Sequence, residues 1–165
     1  MPISVATPRN SRGLAAALRS ILRRTLAAEG RRAGEITILL TGDAELRELN
    51  RRWRGIDRAT DVLSFPYDTA HAVSGDLVIS LDRLREQAKR YRVSLGRELA
   101  RLVVHGALHL AGHDHHRAAE RRLMRARENG VLHALRGEIV KLDVVFTRES
   151  RRQGTGRASR GVSRS

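Results

Sequence analysis

The chain contains no cysteine. That excludes a disulfide framework and any thiolate metal site, and it suits a reducing compartment such as the cytoplasm. Aromatic residues make up only 3% of the 165 positions, so a core must be assembled from Leu, Val, Ile and Ala. Trp53, Phe65, Tyr67, Tyr91 and Phe146 are all the rings available for stacking. No apolar run approaches the ~18 residues that span a bilayer. The N-terminus lacks a signal peptide's order of charge, apolar run and cleavage site. The expectation is a cytoplasmic protein with no membrane attachment. Acids are also scarce, with 18 Asp and Glu against 32 Lys and Arg, for a formal net charge of +14. Part of this excess is an arginine-rich composition, since Arg far outnumbers Lys. The rest favours a polyanionic partner.

Apolar periodicity orders the chain. Residues 3–6 read as a short strand, and Asn10 or Ser11 can cap a helix reaching about Ala28. That helix places Leu14, Leu18, Ile21, Leu22 and Leu26 on one face, and Gly30 ends it. EITILLT (35–41) reads as a buried strand, and Asp43 as the cap of a second helix. DVLSFPY (61–67) and GDLVIS (75–80) read as antiparallel neighbours. A charged helix over 82–93 precedes one that starts at Ser94. The latter, RELARLVVHGALHLAG, is apolar on nearly every face and is predicted to be the buried central helix. Residues 117–136 are predicted to form a last, highly charged helix. The order β-α-β-α-β-β-α-α-α predicts an α+β fold, a small mixed sheet of about four strands packed with about five helices.

Five of the seven histidines fall in HGALHLAGHDHH (105–116). His105 and His109, four residues apart on a helix, project from one face about 6 Å apart along the axis. Gly112 stands where the helix must stop, which allows the chain to return His115 to the same ion. Three neutral imidazoles with an open fourth position form a catalytic zinc arrangement at the end of the central helix. Burying such histidines unpaired would cost around 1–3 kcal/mol each, so packing alone explains them poorly. Metzincin proteases share the spacing but carry Glu after the first His as general base. Here that residue is Gly106, which cannot accept a proton.

HGALHLAGHDH resembles the signature of the YbeY family of bacterial rRNA-maturation endoribonucleases, H-G-x-L-H-L-x-G-Y-D-H. NRRWRGIDRATDVLSFP (50–66) is similar to a second block of that family, and GDLVIS to its G-D-I-x-I-S strand. Glu120, Met124 and Glu128 fall where the last helix of the family carries such residues. The resemblance implies a zinc-dependent, single-strand-selective endoribonuclease that matures the 3′ end of small-subunit rRNA and serves ribosome quality control. It places one zinc ion on His105, His109 and His115, and a functional role on Arg54. Its partners would be single-stranded rRNA and the small ribosomal subunit. Residues 1–147 would form a single metal-dependent hydrolase domain, followed by a disordered basic tail over 148–165.

His113 stands where the family has Tyr, and is read as a Tyr replacement, a fourth ligand or a proton carrier. His116 is additional. Asp114 and Glu120 are nearby carboxylates that can orient a ligand imidazole or move a proton. Asp61 and Ser64 are assigned to turn and strand-end hydrogen bonding. Neutralising about six phosphates would make log affinity for a single strand fall with log salt at a slope near −4. The competing readings are a non-catalytic RNA- or ribosome-binding assembly factor whose metal is structural, and, further back, a zinc peptidase opposed by Gly106.

Overall fold

The structure, a computed structural model, describes residues 3–7, 12–67, 71–113 and 116–157. The elements run β1 (Ile3–Ala6), α1 (Arg12–Ala28), β2 (Ala33–Thr41), α2 (Asp43–Arg54), β3 (Val62–Tyr67), β4 (Val73–Ser80), α3 (Leu81–Tyr91), α4 (Leu95–Leu110), α5 (Ala118–Ala134) and α6 (Arg136–Arg157). The four strands form one mixed sheet in the order β1-β2-β4-β3. β1, β2 and β4 are parallel, and β3 runs antiparallel along the edge with Leu63 opposite Val78. The α+β class with a small mixed sheet is as the sequence predicted, with six helices among the described residues.

Alternation along the strands divides the interior in two. Ile36, Ile38 and Leu40 of β2 and Leu77 and Ile79 of β4 are buried against α1, α3 and α4 in the main core. The opposite face is covered by α2, whose Leu46 packs on Leu63 and Val78 in a smaller cluster flanked by Leu39, Leu49 and Phe65. Leu, Ile and Val supply nearly all of the core, each fully buried side chain contributing about 1.5–3 kcal/mol. None of the described helices is long and apolar enough to cross a membrane.

Helix α4 is enclosed by α1, α3, α5, α6 and the sheet, which explains its apolar circumference. Two glycines allow that enclosure. A Cβ at Gly96 would lie 2.3 Å from Asp143 Cα, so α6 passes directly over this point. The Gly96 N–H donates to Asp143 Oδ1 at 2.8 Å, a carboxylate at the positive end of the helix. A Cβ at Gly106 would lie 2.8 Å from Leu77 Cδ2, so this residue faces the sheet. Ser94 caps α4 as expected, its Oγ accepting from Arg97 N–H.

Three expectations differ from the structure. The N-cap of α2 is Gly42, and Asp43 is the first helical residue. The Asp43 carboxylate is engaged by Ser80 Oγ (2.6 Å) and Arg83 instead, tying α2 to the start of α3. The predicted last helix over 117–136 is present as α5, and a further helix, α6, follows it after a turn at Leu135. That residue is 2% exposed, and its burial turns the chain so that Ile139, Leu142 and Phe146 of α6 enter the same core. α6 runs past the 148 boundary to Arg157, continuing from the turns that Ile139, Leu142 and Phe146 hold in the core. Asn10, Ser11 and residues 158–165 lie outside the described residues.

Candidate metal and phosphate site

The C-terminal end of α4 opens on a cleft of about 540 Å³. One wall carries His105, His109, Gly112, His113 and His116; the other carries Arg54, Arg58, Thr60, Asp61 and Ser64. Local chain geometry accounts for each wall.

α4 ends in a Schellman turn, with His113 N–H donating to Leu108 O (3.0 Å) and Gly112 N–H to His109 O (3.0 Å). Gly112 has φ +101°, a value that disfavours any side chain. This turn stops the helix just past His109, whose ring centroid lies 4.8 Å from that of His105, edge to face at 72°. His105 Nδ1 is 2.9 Å from Oε2 of Glu128 on α5. A carboxylate there selects the tautomer with the proton on Nδ1 and the lone pair on Nε2. Glu128 is itself 8% exposed. Its other oxygen lies 3.6 Å from Arg101, which also pairs with Glu98 at 2.6 Å and approaches Asp61 at 3.9 Å. Burial opposes the Arg101 charge, but hydrogen bonding to Glu98 and the fields of Glu98, Glu128 and Asp61 prevail and raise its pKa above the ordinary arginine value.

The opposite wall is built by the end of α2. Gly55, at φ +69°, closes the helix, and its N–H donates to Arg51 O. The buried Asn50 amide donates to Arg58 O at 3.0 Å, and Arg47 grips Asp57 through two bonds of 2.7 and 3.1 Å. These contacts brace the loop over 55–60. Arg54 is exposed, donates one bond to Ser64 O (3.0 Å), and rests its guanidinium 5.7 Å from the centre of the Phe65 ring. Asp61 accepts from Val62 N–H and from Gln87, the strand-end role assigned to it.

The structure therefore brings Arg54, His105, His109, His113 and His116 to one cleft. Glu120 goes elsewhere: its carboxylate accepts from Arg117 N–H and caps α5. His113 Nε2 sits 2.9 Å from Oε2 of Glu29 at the end of α1. Asp114 and His115 lie outside the described residues. Among the described residues, no third His, Asp, Glu or Cys completes a metal-binding group with the His105–His109 pair. The donor chemistry nevertheless fits a borderline divalent ion: two neighbouring imidazoles, one oriented from behind by a buried carboxylate.

Sequence reasoning gave no role to Glu128, Glu29 or Arg101. Glu128 had a readable signal, since Met124, Glu128, Val131 and Leu135 share one helical face and a lone carboxylate on an apolar stripe needs a partner. Glu29 had none, being 84 residues from His113.

Comparison with known proteins gives consistent relatives. The family model described as "Endoribonuclease YbeY" matches residues 5–136. The chain is 48% identical over 120 residues to an endoribonuclease YbeY of Anaeromyxobacter sp., covering 71% of this chain and 62% of that one. It is 50% identical over 113 residues to an endoribonuclease YbeY of Carboxydothermus hydrogenoformans, covering 67% and 78%. Among solved structures it is similar to the solution structure of TM1509 from Thermotoga maritima, with a TM-score of 0.55 and 26% identity over 82% of this chain and 92% of that one.

Proposed function

The chain belongs to the endoribonuclease YbeY family, and from that premise we propose that it is a zinc-dependent endoribonuclease selective for single strands. Its substrate would be the 3′ end of small-subunit rRNA, cut during ribosome maturation and quality control in the cytoplasm. The observation that carries this reading is the cleft itself: a pair of imidazoles, one of them oriented by Glu128, faces an arginine held at Ser64 on the other wall.

His105, His109 and His115 would hold the ion, which when bound supplies Lewis acidity toward a phosphoryl oxygen and lowers the pKa of water. The remaining work falls to the chain's own residues. Glu128 fixes the His105 ring so that Nε2 is the nitrogen offered. Arg54 spends one donor on Ser64 O; its other donors suit the two oxygens of a phosphate. Arg58 adds a second cation to the same wall. Position 106 faces Leu77 rather than the cleft, so even a glutamate there would have no room to act as a peptidase's base. His113 Nε2 is engaged by Glu29, so that nitrogen is not the one this ring would offer to an ion.

The test strips the purified protein with chelator, reloads it with zinc, and incubates each form with a single-stranded rRNA 3′-end fragment. Cleavage should return with zinc, vanish in His105→Ala, and drop by at least tenfold in Arg54→Ala. RNA retention without cleavage in every form would favour the assembly-factor reading instead.

A further inference from the structure

Helix α5 is rich in arginine, and part of its charge is ordered. Arg117, immediately before the helix, and Arg121 and Arg125 within it recur every four residues and are exposed. That spacing sets them on one helical face, about 6 Å apart and about 12 Å from end to end. Glu128 follows Arg121 by seven residues and Arg125 by three, so it lies on the same face. Since Glu128 touches His105, this face borders the histidine wall. A second contact fixes where the row begins: Arg121 Nη1 donates to the backbone oxygen of His116, which lines the cleft.

The acids of α5 do little to neutralise the row. Its sequence holds two, Glu120 and Glu128. The first is committed to the Arg117 N–H, the second to His105 and Arg101. Across the cleft stand Arg54 and Arg58. A polyanion crossing between the walls would meet cations at entry and at exit. Arginine at regular spacing suits phosphates, each of which accepts a planar pair of N–H donors. With few aromatic rings for bases to stack on, backbone electrostatics must supply most of the affinity.

We propose that Arg117, Arg121 and Arg125 form a phosphate rail that carries single-stranded RNA between the cleft and the outer face of α5. This rests on the ribonuclease reading above and adds to it the path of the substrate.

The experiment compares Arg121→Gln/Arg125→Gln with Arg122→Gln/Arg127→Gln in the full-length protein. Both pairs remove two charges from the same helix, but Arg122 and Arg127 lie off the row. Binding of a fluorescein-labelled 15-nucleotide oligouridylate is followed by anisotropy from about 0.05 to 0.3 M salt, with cleavage of the rRNA fragment measured in parallel. Losing two phosphate contacts should lower the salt slope by about 1.4 and affinity by about tenfold near 0.15 M salt. The off-row pair should stay within twofold of wild type, and Arg121→Lys/Arg125→Lys should regain most of the slope. Equal losses in the two Gln pairs would mean that net charge alone acts, and would overturn the rail. So would wild-type binding by Arg121→Gln/Arg125→Gln, with the ribonuclease reading still standing if wild type cleaves. A wild-type protein that neither binds nor cleaves RNA would remove the rail together with its parent reading.

Discussion

Replacing Glu128 tests the site without touching a proposed ligand. Its carboxylate lies 2.9 Å from His105 Nδ1 and 3.6 Å from Arg101, at 8% exposure. Glu128→Ala removes the group that selects the Nδ1–H tautomer and leaves that N–H without its acceptor. Loss of such an orienting partner costs about 10–100-fold in metal affinity, or about 1.4–2.8 kcal/mol. Arg101 keeps Glu98 at 2.6 Å, so its charge is not stranded. The stability cost should therefore be that of one unmade buried hydrogen bond, about 1–3 kcal/mol, lowering Tm by on the order of 5 °C. Glu128→Gln retains an oxygen that can accept from Nδ1–H, but turns an amide N–H toward Arg101. Zinc affinity should then rank wild type, Gln, Ala, while the stability of Gln falls nearer that of Ala. Competition of each stripped protein with a chromogenic chelator for zinc gives the affinities; thermal melts without metal give the stabilities. Glu128→Ala binding zinc as wild type does, with His105→Ala defective, would refute the orienting role. Wild-type affinity in both variants would refute the placement of the metal at this helix end.

Other regions give sharper structural tests. Gly96→Ala should cost at least 3 kcal/mol, because its Cβ would meet α6 backbone at 2.3–2.6 Å; Gly130→Ala, with nothing within 4 Å, should stabilise α5 by about 0.5–1 kcal/mol. Urea midpoints of the two variants check both signs, and similar midpoints would contradict the close crossing of α4 and α6. Hydrogen bonding and charge from Arg47 hold the Asp57 carboxyl below its ordinary value. A folded-state pKa below the unfolded one means that the loop clamp is present above the unfolded pKa and is lost as pH falls through the folded one. Fluorescence of Trp53, the single tryptophan and 67% exposed on the adjoining helix, should report an acid transition that Asp57→Asn abolishes. An unchanged transition in Asp57→Asn would assign it to other carboxylates.

The legible and illegible parts of this protein divide on physical grounds. Helices with one apolar stripe, such as α1, and strands bounded by turn residues, such as β3 and β4, express their neighbours through local periodicity, so their existence and pairing could be read. α6 could not. Its segment IVKLDVVF (139–146) is apolar on more than one face, with Val140 and Val144 exposed, and only the packing beyond Leu135 selects Ile139, Leu142 and Phe146 as core. The same holds for Asp43, whose cap-forming chemistry is real but is spent on Ser80 and Arg83 of an element 37 or more residues away.

By itself, the sequence determined the fold class, the central helix and the His105–His109 pair, because helical spacing turns four residues of separation into one shared face. It also determined that Gly106 cannot serve as a base. Only the tertiary structure decided what stands behind and opposite those imidazoles. Glu128 reaches His105 from another helix, Glu29 reaches His113 from the far end of α1, and Arg54 meets the histidine wall through the packing of α2 against the sheet. Such contacts join residues from 23 to 84 positions apart. No local pattern encodes them, since they exist only once burial of the apolar faces has fixed how the helices cross.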